Sequence, residues 1–452
     1  MPIAETVAEM LQSGASSLAS YLAAHVLLCL VPAFFIAGAM TALIPKGIIT
    51  RYLGPTAPKR VAYPMAAVGG FVLAVCSCTI LPLFAGIFAK GAGLGPAITF
   101  LFVGPSINIL AVSYTGVAIG MDIAIARIVL SVGFGIIIGL IMAYVFRRQE
   151  RARQEENQAG GIFATDEKLR PAVAAFMLLL LAVLIVGTLG VGLFKNTYAE
   201  FTVSTDAPLG WQASLDRLVP YDADKGEEGV SLQGLVLIGM LGVIAVTAWP
   251  GLNTVDEAFN RWSWIALGIV GLTLLIATLS IKPVDGGLMV GITGRSIALL
   301  GVLAALALVA WKGLEPYEVQ EWLWETWRFV KQIFPLLIVG VFLAGMVRVI
   351  IPPSLIESIA GENTVLANLA GVVFGVFMYF PTLVEVPIAN MFLSLGMHKG
   401  PLLAYLIADP ALSIQSILIT ASIIGRKKTW TYVGLVTLFA TLAGLIFGWY
   451  VS

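Results

Sequence analysis

The sequence predicts an all-α polytopic membrane protein, an inverted structural repeat with about ten transmembrane helices and two re-entrant broken-helix hairpins. Three observations carry that expectation. The chain is 59% hydrophobic and 12% charged, with mean hydropathy +0.95, whereas an ordinary soluble domain carries about 25% charged residues. Prolines and glycines recur in one register between the two ends of the chain. Basic residues fall on loops that place the corresponding segments on opposite sides of a bilayer.

Apolar runs cover 27–44, 100–119, 128–145, 172–194, 235–249, 265–281, 297–311, 334–346 and 430–451, many near the ~20 residues that cross a bilayer core. Four units follow: a first transmembrane repeat, 1–150; a charged cytoplasmic linker, 151–170; central helices with an external loop at 195–231, 171–315; and a second, inverted repeat, 316–452. The central unit holds about four helices. The segment 315–331, with Trp322, Trp324 and Trp327 among charges, reads as an amphipathic helix lying at the interface. The N-terminus carries Glu5 and Glu9 but no early Lys or Arg, so no cleavable signal peptide is expected. Net charge is +0, which suggests no nucleic-acid partner.

The repeat is read from residues that fix backbone geometry. Gly70 falls on Gly375, Pro82 on Pro387, Gly91 on Gly396, Gly95 on Gly400, Pro96 on Pro401, Pro105 on Pro410 and Gly120 on Gly425. Upstream the register slips, and 45–54 resembles 352–361. The loop 45–60 carries Lys46, Arg51, Lys59 and Arg60 without an acid, while its counterpart carries Glu357 and Glu362 without a base. Lys and Arg mark cytoplasmic loops, so the halves are expected to be inverted. The loop after Val145, with Arg147, Arg148, Arg151 and Arg153, is also basic. An even number of crossings must separate two loops on one face. The segment 61–90 is therefore expected to enter and leave on one side, and 365–395 to do the same from the other, with both termini outside. Twelve full crossings with one basic loop out of place is the alternative.

Interrupted helices at membrane depth in both halves of such a repeat point to a transporter's binding site. Four interruptions qualify: Cys76-Ser77-Cys78 to Pro82, Gly104-Pro105-Ser106, Pro381-Thr382 to Pro387, and Asp409-Pro410-Ala411. A proline deprives the carbonyl one turn back of its partner, here at Cys78, Leu101, Leu383 and Leu406. The halves differ at these places: Ile80 corresponds to Glu385 and Gly104 to Asp409. A carboxylate at membrane depth needs a partner or a wet cavity, so Glu385 and Asp409 are candidates to couple transport to protons or a cation. Asp409 before Pro410 also has the form of an N-cap and first-turn pair. Arg127 can pair locally with Asp122, the favoured reading, or reach a core carboxylate. Asn108 and Ser413 are repeat partners that can line the cavity.

Cys76 and Cys78 are two of three cysteines, and small buried cysteines often act as plain hydrophobes. On a continuous helix they diverge by about 200°, but a break can bring them together. Thiolates prefer soft, thiophilic species, which makes the pair a candidate site for a thiophilic metalloid. Two histidines, His25 and His398, rule out a histidine-rich metal centre, and no other cofactor is implied.

At Cys76-Ser77-Cys78, Gly104-Pro105-Ser106-Ile107-Asn108, Glu385-Val386-Pro387 and Asp409-Pro410, the chain resembles the predicted-permease family that includes the organoarsenical efflux permeases (ArsP). The resemblance covers roughly 25–150 and 330–450, with Cys-Ser-Cys its most specific part. It implies a multi-pass exporter of the bacterial inner membrane, with trivalent organoarsenicals such as methylarsenite as substrates and the cysteines as the arsenic site. The expected function is export of a small thiophilic solute by alternating access. No phosphate-cradling nucleotide motif is present. A channel and a thiol-based intramembrane redox protein are the rivals, the latter lacking an evident resolving partner.

Overall fold

The computed structural model of the chain describes all residues except 1–2, 25, 56, 74–76, 153–169, 189–193, 195, 205–207, 220, 223–226, 256–258, 285–286, 349–358, 378–381, 395 and 452. Its first part contains α1 (Ile3–Ala24), a π-helical turn at Val26–Leu30, α2 (Val31–Leu43), α3 (Lys46–Leu53), α4 (Lys59–Leu73), α5 (Ser77–Ala89), α6 (Leu94–Ser106), α7 (Ile109–Ala118) and α8 (Met121–Val145). The centre contributes α9 (Pro171–Thr188), β1 (Thr197–Ser204), α10 (Pro208–Leu218), β2 (Tyr221–Asp222), β3 (Glu227–Glu228), α11 (Leu232–Leu252), α12 (Arg261–Thr278), β4 (Ser280–Val284), β5 (Gly287–Thr293) and α13 (Gly294–Gly313). The last part holds α14 (Pro316–Arg348), α15 (Val365–Phe377), α16 (Thr382–Ser394), α17 (Lys399–Ala408), α18 (Ile414–Ile424) and α19 (Arg426–Val451).

The protein is an all-α polytopic membrane protein. Among the described residues, 8 helices are long and apolar enough to cross a membrane. The two remaining expected crossings, near 94–119 and 399–424, are each divided. A turn at Ile107 and Asn108 separates α6 from α7, and residues 409–413 separate α17 from α18. Such short helices leave terminal carbonyls and N–H groups unsatisfied within the helix, which the membrane tolerates only inside protein.

Helix bounds correspond between the two ends of the chain, with α5, α6, α7 and α8 starting where α16, α17, α18 and α19 do in the register set by the prolines. Left-handed glycines recur at Gly91 (φ 96°) and Gly396 (φ 92°), conformations that cost a side chain dearly. In the first part the chain doubles back: Gly93 N–H, just after α5, donates to the Leu53 carbonyl, just before α4 (2.8 Å). His398 N–H likewise donates to the Ala360 carbonyl (2.9 Å). The far ends of α4 and α6 touch through Gly70, where a Cβ would lie 2.9 Å from the Gly104 nitrogen. Gly375 makes the same approach to the Asp409 nitrogen at 2.8 Å. Asp122, at the start of α8, pairs with Lys399 at the start of α17 (2.8 Å). Glu150, beyond the end of α8, pairs with Lys428 at the start of α19 (3.4 Å). Gly400, also at the start of α17, lies against the Gly444 carbonyl late in α19, so α8 and α19 run in opposite directions.

The 315–331 segment is not a separate interfacial helix. It is the first half of α14, a continuous 33-residue helix about 50 Å long, which packs against α1 and α2. Its tryptophans explain the difference, because Trp322 and Trp327 are buried rather than lipid-facing. Trp322 Nε1 donates to the Phe35 carbonyl (2.9 Å), and Trp327 Nε1 to Asn253 Oδ1 (3.1 Å).

The central part holds its four long helices, α9, α11, α12 and α13, together with an unexpected three-stranded antiparallel sheet in the order β1-β5-β4. Phe201 stands opposite Val290, and Val284 opposite Gly287. The Asp285-Gly286 pair between the last two strands is a hairpin signal in the sequence, overshadowed by the flanking apolar helices.

Candidate functional site

Among the described residues, one ion pair is wholly buried. Arg127 of α8 and Glu385 of α16 are both 0% exposed. Arg127 Nη2 lies 3.0 Å from Glu385 Oε1 and 3.2 Å from Oε2. Arg127 Nε donates to the Ser106 carbonyl (2.7 Å), and Nη1 to Thr115 Oγ1 (3.4 Å). That hydroxyl in turn donates to the Ala111 carbonyl (2.7 Å), which leaves its lone pairs for the guanidinium.

The interrupted helices supply the electrostatics. Ser106 ends α6, so its carbonyl has no helical partner and carries the negative end of the helix dipole toward Arg127. Glu385 sits in the first turn of α16, where unsatisfied N–H groups favour a carboxylate. Each charge thus rests on a helix end of suitable sign. Taking an isolated ion from water to a membrane interior costs several kcal/mol, and these helix ends offset part of it.

This geometry corrects the local pairing expected for Arg127. Asp122 is held by Lys399 instead, five residues away in sequence but directed outward, while Arg127 faces the protein core. The N-cap expected of Asp409 is also corrected. Asp409 is the C-cap of α17, with φ −50° and ψ −54°, and Pro410 starts no helix. Ser413 caps α18 instead, accepting from Ser416 N–H (3.2 Å) in a capping box. Its hydroxyl is therefore committed to local structure.

Pro410 lies within the break at 409–413, whereas two other prolines lie inside helices. Pro82 lies inside α5, Pro105 inside α6 one residue before its end. The discontinuity in the first half follows Ser106, at Ile107 and Asn108. Gly104, Pro105, Ser106, Asn108, Asp409 and Ser413 are all buried, and Gly104 and Asp409 occupy the corresponding glycine contacts described above. Cys76 and Pro381 lie outside the described residues. Ser77, Cys78 and Thr382 begin α5 and α16, and their side chains lie outside the description as well. Thr115 was missed in the sequence, where one threonine in an apolar helix carries no signal.

Residues 12–449 match the family described as a predicted permease. This chain belongs to that permease family. The permease is 34% identical over 434 residues to the UPF0718 protein MJ0584 of Methanocaldococcus jannaschii, an alignment covering 96% of this chain and 94% of that protein. No solved structure matches it. Family membership makes it a multi-pass membrane transporter.

Proposed function

We propose that the permease exports a small thiophilic solute, a trivalent organoarsenical such as methylarsenite, by proton-coupled alternating access. The buried Arg127–Glu385 pair is the observation that carries the coupling. It ties α8 and α6 to α16 across 258 residues of sequence, so a change of charge at Glu385 acts on the contact between the two halves. A proton taken by Glu385 cancels the attraction to Arg127 and loosens α16 from α7 and α8. Loss of that proton restores the pair.

The solute would be held by Cys76 and Cys78, the latter in the first turn of α5, with the residues at the ends of α6 and α17 (Gly104, Pro105, Asn108 and Asp409) around it. This assignment is supported by the resemblance of the Cys-Ser-Cys element to the organoarsenical efflux permeases. In the membrane, α4 with α5 and α15 with α16 would form the two re-entrant hairpins of an inverted repeat. The opposed directions of α8 and α19 support that arrangement. The basic loops put 45–60 and 147–170 in the cytoplasm.

Everted membrane vesicles test the proposal. Wild-type vesicles are expected to accumulate methylarsenite when a proton gradient is imposed, and Cys76→Ser/Cys78→Ser to lose that accumulation. Glu385→Gln is expected to equilibrate the solute without accumulating it. Unchanged uptake by the double cysteine variant would remove the thiol site. Continued uphill transport by Glu385→Gln would remove the coupling role.

A further inference from the structure

A cavity of about 370 Å³ opens where α4 and α6 start and α8 ends. One wall is a stripe of the chain at and beyond the end of α8: Leu140, Ala143, Tyr144, Arg147, Glu150 and Arg151. Along this stripe the chemistry changes from apolar to charged. Lys59, at the start of α4, faces it from the other side. The Arg147 guanidinium lies 5.0 Å from the Tyr144 ring centroid, and Tyr144 is 68% exposed, open to the surroundings of the bundle. We propose that this cavity binds the phosphate headgroup of an anionic membrane lipid, with the upper acyl chain lying along Leu140, Ala143 and Tyr144.

Charge complementarity carries the assignment. Lys59, Arg147 and Arg151 form no ion pair among the described residues. The acid in the lining is already engaged, since Glu150 Oε2 accepts from Leu94 N–H (3.1 Å) and Oε1 faces Lys428 (3.4 Å). That bond also occupies the N-terminus of α6, so the three side-chain cations are what remains for an anion. Arg presents paired N–H donors that match phosphate oxygens. Basic pockets between membrane helices on the positive side select anionic headgroups.

The corresponding place in the other half is spanned by asparagine hydrogen bonds. There Asn363 Nδ2 donates to the Leu445 carbonyl (3.2 Å), and Asn368 Nδ2 to Asn363 Oδ1 (2.9 Å). Thr364 stands where Lys59 does in the first half. The cavity lies at the end of the molecule whose loops are rich in Lys and Arg. A free phosphate ion shares the cation contacts but gains nothing from the apolar wall, which favours the lipid.

Native mass spectrometry of the full-length permease in neutral detergent tests this with phosphatidylglycerol, phosphatidylcholine and inorganic phosphate as probes. Phosphatidylglycerol is expected to be retained over phosphatidylcholine, and millimolar phosphate to leave it in place. Each basic side chain near an anionic headgroup is worth on the order of fivefold in affinity, so Arg147→Gln/Arg151→Gln should reduce retention about 25-fold. Arg147→Lys/Arg151→Lys should keep most of it, and so should Arg148→Gln, an exposed neighbour outside the cavity. Leu140→Trp, which fills the apolar wall without altering charge, should also expel the lipid. Equal retention of phosphatidylcholine, displacement by phosphate, an equal loss in Arg148→Gln, or retention unaffected by Leu140→Trp would overturn the proposal.

Discussion

Removing the carboxylate of Glu385 strands a guanidinium in the middle of the protein. At 3.0 Å, an effective dielectric of about 20 gives an attraction on the order of 5 kcal/mol. Breaking a buried pair by deleting one partner costs about 3–5 kcal/mol. In Glu385→Leu, Arg127 keeps its bond to the Ser106 carbonyl at 2.7 Å, which moderates the loss toward about 3 kcal/mol. Arg127→Met should cost a similar amount, because Glu385 would then be buried beside an apolar chain. Replacing both removes two desolvation penalties with one attraction, and such exchanges are often close to neutral. The double variant Arg127→Met/Glu385→Leu should therefore recover at least ~2 kcal/mol relative to the sum of the single variants. The assay is reversible unfolding of the full-length permease in mixed micelles titrated with dodecyl sulfate, run on the four members of the cycle. Single-variant costs that add to within about 0.5 kcal/mol would refute the reasoning, since independent sites behave that way. The double variant also separates two roles, for it should be stable yet unable to accumulate solute uphill.

The two pairs at opposite ends of α8 should differ in the same unfolding assay. Asp122 and Lys399 are each 38% exposed, so Asp122→Asn should cost no more than about 0.5 kcal/mol. Glu150 is 9% exposed and also holds Leu94 N–H, so Glu150→Ala should cost about 2 kcal/mol. Gly375→Ala should destabilise by about 1–3 kcal/mol through the Asp409 nitrogen 2.8 Å from the new Cβ. Gly434→Ala, a helical glycine with open space around it, should be neutral or stabilising by up to ~1 kcal/mol.

Much of the fold was legible because prolines and glycines dictate backbone geometry locally. Pro105 and Pro410 mark the two places where an expected crossing is divided, and Gly70 and Gly375 mark where helices touch backbone to backbone. At Pro105 the interruption lies two residues on, at Ile107 and Asn108, since a proline forbids one hydrogen bond without fixing where the chain turns. Trp322 and Trp327 misled for a related reason. Tryptophan among charges suits a membrane interface and a protein interior equally, and only the N–H partners at Phe35 and Asn253 distinguish them.

The sequence by itself determined that this chain belongs in a bilayer and that its long apolar runs are helical, and it marked Glu385 and Asp409 as carboxylates at membrane depth. Those properties follow from apolar length, local backbone restriction and the cost of charge in hydrocarbon, and each is written within a few residues. Tertiary structure alone decided that Arg127 serves Glu385 rather than Asp122. The choice depends on which face of α8 meets α16 and on the carbonyl that α6 leaves open at Ser106. Partners 258 residues apart are joined by packing, and no local pattern records it.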